Sequence, residues 1–134
     1  MGSPLTLEAW MERLGPGWDA QAVDDLMALD PQAEAGLVLT LMSRFAQSLQ
    51  QWDTALEQAW QGRDAEVLRR GAHTLKSSAA TVGAARLAAA ARAFEQALVA
   101  RGFGPELQAP WRHLQGELQA AAQVLHPALS GGPT

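Results

Sequence analysis

One histidine in this chain stands where it could act as a nucleophile. His73 belongs to the run Ala72-His73-Thr74-Leu75-Lys76-Ser77-Ser78-Ala79-Ala80-Thr81-Val82-Gly83-Ala84. Around it Leu68, Ala72, Leu75, Ala79 and Val82 recur at alternating intervals of four and three, the period of a helix with one buried stripe. His73 falls just beside that stripe. Arg69 and Arg70 stand four and three residues before it, and Lys76 and Ser77 three and four after, so all four share its side of the helix. A neutral imidazole attacks phosphorus readily. Nearby positive charge disfavours the imidazolium and stabilises a phosphoryl group once it has arrived. Lys76 is the only lysine among ten basic residues, and a flexible ammonium can follow a phosphoryl group as it comes and goes.

Other chemistries find no residues here. None of the three histidines has a glutamate three positions before it, so the inward Glu-x-x-His pairs of carboxylate metal bundles are missing. His113 and His126 have no clustered partners and read as surface residues. No Ser-His-Asp order and no Gly-x-x-x-x-Gly-Lys phosphate loop occurs. Cysteine is absent, which removes disulfides and thiolate metal sites and suits a reducing cytoplasm.

At 134 residues and 48% hydrophobic content the chain fits one domain, 1–134, with a continuous core. No apolar run approaches a membrane span and no signal peptide opens it, so a cytoplasmic protein with no membrane partner is expected. The net charge of -4 argues against nucleic acid. Between Arg63 and Arg86, however, basic residues outnumber acidic ones, which suits contact with an acidic partner pocket.

The elements that must hold His73 are helices. Ser3-Pro4 is a cap and first residue for a short helix with Leu7, Trp10, Met11 and Leu14 inward, ended by Gly15-Pro16-Gly17. A second runs from Asp19 to about Leu29 with Val23, Leu26 and Met27 inward. Residues 1–30 thus form one or two short helices covering one end. Asp30-Pro31 predicts the start of a long helix whose apolar line, Leu37 to Trp60, holds until Gly62. Leu39 and Met42 widen its apolar face and are assigned to contact with the short helices. Asp64 caps the histidine helix, Gly83 ends it, and Gly71 within it suggests close approach of a neighbour. A third helix spans 84–101, with Glu95 as an exposed carboxylate. After Gly102-Phe103-Gly104-Pro105 a last helix starts either near Ala109, with Pro110 in its first turn, or at Pro105 with a kink. His126-Pro127 should close it, leaving 127–134 as a flexible tail. No strand-like alternation occurs. The fold class is all-α, an antiparallel four-helix bundle of helices near 31–61, 64–82, 84–101 and 106–126, with its core over 31–126.

The run Ala72-His73-Thr74-Leu75-Lys76-Ser77-Ser78, followed by Gly83-Ala84, resembles the motif of the histidine-containing phosphotransfer domain of multistep phosphorelays, Ala-His-x-Leu-Lys-Gly/Ser-Ser with a helix-ending Gly-Ala. The motif covers about a tenth of the chain and the helix pattern extends the likeness over most of it. The resemblance implies a phosphorelay intermediate: His73 accepts a phosphoryl group from the aspartyl phosphate of one receiver domain and passes it to the aspartate of another. It makes Lys76 the stabilising cation and Ser77 and Ser78 the small residues that let a receiver come close; Arg69, Arg70 and Ala80, on the same helix, extend the surface expected to meet a partner. Ser77, where many members have glycine, narrows that approach slightly. The implied partners are response-regulator receivers and a hybrid sensor kinase. The expected protein is a monomer with no cofactor of its own, magnesium being supplied by the receiver. A sensor-kinase dimerisation domain would place an acid directly after the histidine and a proline shortly beyond, where this chain has Thr74 and Ser78. No nucleotide-binding domain is present, so self-phosphorylation is not expected. Two alternatives remain open: an adaptor that binds receivers without chemistry, and the phosphoacceptor domain of a larger hybrid or chemotaxis-type kinase.

Overall fold

The histidine helix is the centre of an all-helical molecule, a computed structural model that describes residues 5–33 and 36–130. In chain order the elements are α1 (Leu7–Leu14), α2 (Ala20–Ala28), α3 (Leu37–Gln61), α4 (Ala65–Val82), α5 (Ala85–Arg101), a 3-10 turn (Pro105–Leu107) and α6 (Gln108–Ser130). The long helices pack in a ring: α4 lies against α3 and α5, and α6 against α5 and α3. Their shared interior holds Leu49, Leu56, Leu68, Leu75, Phe94 and Leu114, all essentially without solvent contact. At one corner Trp60 stacks on Trp111 with centroids 4.7 Å apart, and Phe94 closes on the same pair. Among the described residues no helix is long and apolar enough to cross a membrane.

Local chemistry sets the ends of α4. The carboxylate of Asp64 accepts the N–H of Val67, capping the first turn, and Gly83 ends the helix in the left-handed region at φ 87°. That glycine also sits against a neighbour. A Cβ there would lie 2.9 Å from the carbonyl oxygen of Asp19, which in turn donates its own N–H to the Gly83 carbonyl at 2.7 Å. So α2 is seated on the turn that joins α4 to α5. Gly71 is explained by packing, as expected: a Cβ there would come within 2.7 Å of Leu56 and 3.0 Å of Trp52 on α3. The helix tolerates the propensity cost of a glycine, about 1 kcal/mol, because a larger residue would hold α3 away.

Four expectations need correction. The long helix begins at Leu37, not Pro31. The chain first turns, with Ala33 N–H donating to Asp30 O, and the Asp30 carboxylate reaches forward to accept the N–H of Leu37 at 3.0 Å. Asp30 caps the helix, but from seven residues away. Met42 is fully buried, whereas Leu39 is 50% exposed and lies outside the core. The first helix takes Thr6 as its cap; Ser3-Pro4 lies outside the described residues. Finally, α6 runs through Pro127 to Ser130. Proline removes one donor, yet the carbonyl it would have served belongs to exposed Gln123 and can be hydrated. Continuing the helix buries Ala128, whose carbonyl accepts Arg13 Nη1 of α1 at 3.1 Å. The α6 start agrees with the first of the two options, with Pro110 in the first turn after a 3-10 turn at Pro105. Of the expected tail, 131–134 lie outside the described residues.

Candidate functional site

Because Leu68, Ala72, Leu75, Ala79 and Val82 are all buried, the opposite side of α4 faces solvent and carries His73, whose side chain is 59% exposed. The imidazole is not loose. Its Nδ1 lies 2.9 Å from Oε2 of Glu95 on α5, and the other oxygen of the same carboxylate accepts Lys76 Nζ at 2.7 Å. One carboxylate thus ties together the histidine and the lysine one turn beyond it. Glu95 is largely shielded, its side chain 14% exposed. The hydrogen bond from Lys76 holds its carboxyl below the usual glutamate range, with burial acting against this and His73 adding to it. An ionised carboxylate can only accept, so in the neutral form of the ring the proton belongs on Nδ1 and the lone pair on Nε2.

The other sequence-selected residues divide. Ser77 and Ala80 are exposed on the His73 side. Ser78 sits about 140° around the helix from His73 at about 100° per residue, is partly buried, and donates its hydroxyl to the Thr74 carbonyl at 3.0 Å. It adjoins the α3 side and not the nucleophile. Arg69 and Arg70 share the His73 side, yet both are turned to Glu66: Arg69 Nη2 at 2.8 Å and Arg70 Nε at 3.5 Å. The guanidinium of Arg69 in turn holds the Glu66 carboxyl below its ordinary range. The face on which basic residues outnumber acidic ones is therefore an alternation of cations and carboxylates. His113 and His126 are both exposed on α6.

Glu95 is the residue that the sequence reading passed over, as an exposed carboxylate. A signal was present. His73 is ten residues before Gly83 and Glu95 twelve after it, so a helical hairpin folded about Gly83-Ala84 sets the two at the same height. Glu95 also flanks the α5 core line of Leu87, Ala91, Phe94 and Leu98. That places its carboxylate at the α4 seam.

This arrangement combines an exposed, oriented imidazole with a lysine ammonium that shares its carboxylate partner. In comparison with known proteins, residues 40–126 match the family model described as the Hpt domain. No curated protein and no solved structure matches the chain.

Proposed function

Because the chain belongs to the Hpt domain family, which implies histidine phosphotransfer within a two-component phosphorelay, we propose that His73 is the phosphoacceptor and that Nε2 is the nitrogen that reacts. The observation that carries this reading is the Glu95 carboxylate 2.9 Å from Nδ1 of a ring that is 59% exposed: in the neutral ring that contact favours the proton on Nδ1 and the lone pair on Nε2. In the forward step the Nε2 lone pair attacks the phosphorus of a receiver's aspartyl phosphate. A P–N bond forms, the P–O bond to the aspartate breaks, and the aspartate leaves as carboxylate. The ring gains positive charge as the bond forms, and Glu95 stabilises it through Nδ1–H. Lys76, held beside Glu95, turns its ammonium toward the phosphoryl oxygens. The partner brings the magnesium ion and the acyl phosphate, so this chain contributes an oriented nucleophile and charge.

Both phosphoaspartate and phosphohistidine are energy-rich, so transfer runs in either direction, set by partner concentrations. Response-regulator receivers and a hybrid sensor kinase are the partners of this reading, and the cytoplasm its setting. The antiparallel four-helix arrangement belongs to the same reading. It is supported by the short links at 62–64 and 83–84, which return each helix along its predecessor. Incubation with a receiver carrying labelled phosphate tests the proposal. Acid-labile label should appear on this chain and be lost in His73→Gln; label that persists in that variant refutes the assignment.

A further inference from the structure

We infer that Arg92 is a docking contact for the carboxylate-rich phosphorylation pocket of the receiver partner, an inference that rests on the phosphotransfer reading above. Most of the described cations are already engaged. Arg69 and Arg70 are held by Glu66, Lys76 by Glu95, Arg13 by the Ala128 carbonyl, and Arg101 by Glu106. Arg63 lies over the Phe103 ring at 4.6 Å, and Arg86 lies along Gly17. Arg44, Arg92 and Arg112 are exposed and make no hydrogen bond or ion pair among the described residues.

Only Arg92 of these three is on the helix that supplies Glu95. It precedes Glu95 by three residues, a rise of about 4.5 Å and a rotation of about 60°, so it flanks the His73–Lys76 cluster on its α5 side. Arg112 belongs to α6, which does not pack on α4, and Arg44 to α3, which does not pack on α5. On the side toward the α4–α5 turn the surface beside Arg92 is low, with Ala85 and Ala89 exposed there and Ala93 next to it, while the larger exposed neighbours, Gln96 and Val99, lie on its other side along α5. An exposed arginine with no partner does little for folding. Among the described residues it is also the cation flanking the His73–Lys76 cluster that no carboxylate neutralises.

The partner's chemistry complements it. A site that holds magnesium by oxygen ligands next to a phosphorylated aspartate is rich in carboxylates. A guanidinium can pair with such groups bidentately and raise the rate of encounter. A charge at the rim acts mainly on association and its salt dependence.

The test compares Arg92→Glu with Arg112→Glu, a reversal of the same kind on α6. With a phosphorylated receiver at low ionic strength, Arg92→Glu should lower kcat/KM about tenfold through KM and flatten its salt dependence, while Arg112→Glu stays within about twofold. Phosphoramidate, a small donor with no acidic surface, should charge both variants as fast as the parent. Equal rates for the two variants with the receiver, or equal slowing of Arg92→Glu with phosphoramidate, overturns the inference and leaves the role of His73 intact. A parent chain that takes no label from any receiver removes both.

Discussion

Two ionic clusters lie one helical turn apart on the same side of α4 and are built on opposite principles. Glu66, Arg69 and Arg70 form the first within a single helix, all with side chains more than two-fifths exposed. The second joins His73 and Lys76 of α4 to Glu95 of α5, around a carboxylate that is largely shielded. Pairs three and four residues apart form in almost any helix and contribute little in water. A cross-helix carboxylate exists only if the hairpin at Gly83 sets its two arms at the right height. Only the second cluster, therefore, can hold a ring in a chosen orientation.

Removing each carboxylate tests that distinction most severely. Glu95→Ala should slow phosphoryl transfer to His73 roughly 10- to 100-fold, the loss of a charge-assisted hydrogen bond of about 1.5–3 kcal/mol. Glu95→Gln, which can still accept from Nδ1–H, should recover part of it. Glu66→Ala should leave both the rate and the melting temperature unchanged. A rate loss of similar size in both alanine variants breaks the comparison.

The hairpin itself is the next target. Gly83→Ala forces a left-handed residue to carry a Cβ 2.9 Å from the Asp19 carbonyl, and should cost about 2 kcal/mol in denaturant unfolding. Transfer should weaken in parallel, while the Glu66 pairs, being local, persist. Gly71→Ala gains helix propensity but pushes on Leu56 and Trp52. It should be destabilising by about 1 kcal/mol, and a stabilised variant would show that α3 gives way freely.

The smallest expected effect concerns pH. The Glu95 carboxyl is lowered in the folded chain from an ordinary value of 4.5, chiefly by Lys76. Its contribution to stability is then complete above that ordinary value and fades as pH falls toward the lowered one. Thermal unfolding of Glu95→Gln should accordingly show a flatter acid limb than the parent below about pH 4.5. Parallel limbs would mean that the Lys76–Glu95 pair is no stronger in the folded chain than in the unfolded one.

The same contrast explains what the sequence made legible. The helical period of α4, its Asp64 cap, its Gly83 stop and the exposure of His73 follow from spacing within one helix. Gly71 hinted at a close neighbour, but only the structure shows that the neighbour is α3. Glu95 was misjudged because an acid at the edge of a core stripe reads as solvated until the height of its neighbour is known. Arg69 and Arg70, read as partner contacts, are both held by Glu66, an acid three and four residues before them whose pairing a simple charge count does not reveal. The errors at the two ends of the long helices have separate causes. Asp30 reaches forward seven residues, and Pro127 is carried along by burial of Ala128 against the rest of the molecule. In the first case a side chain seven residues away, and in the second a tertiary contact, overrides the local signal.

The measurement that bears most directly on the central claim is the identity of the phosphorylated nitrogen. Nitrogen-15 and phosphorus-31 NMR of the chain charged by a phosphorylated receiver should show the phosphoryl group coupled to Nε2 of His73, with Nδ1 still protonated and facing Glu95. A phosphoryl group on Nδ1, or on any residue other than His73, would contradict the account.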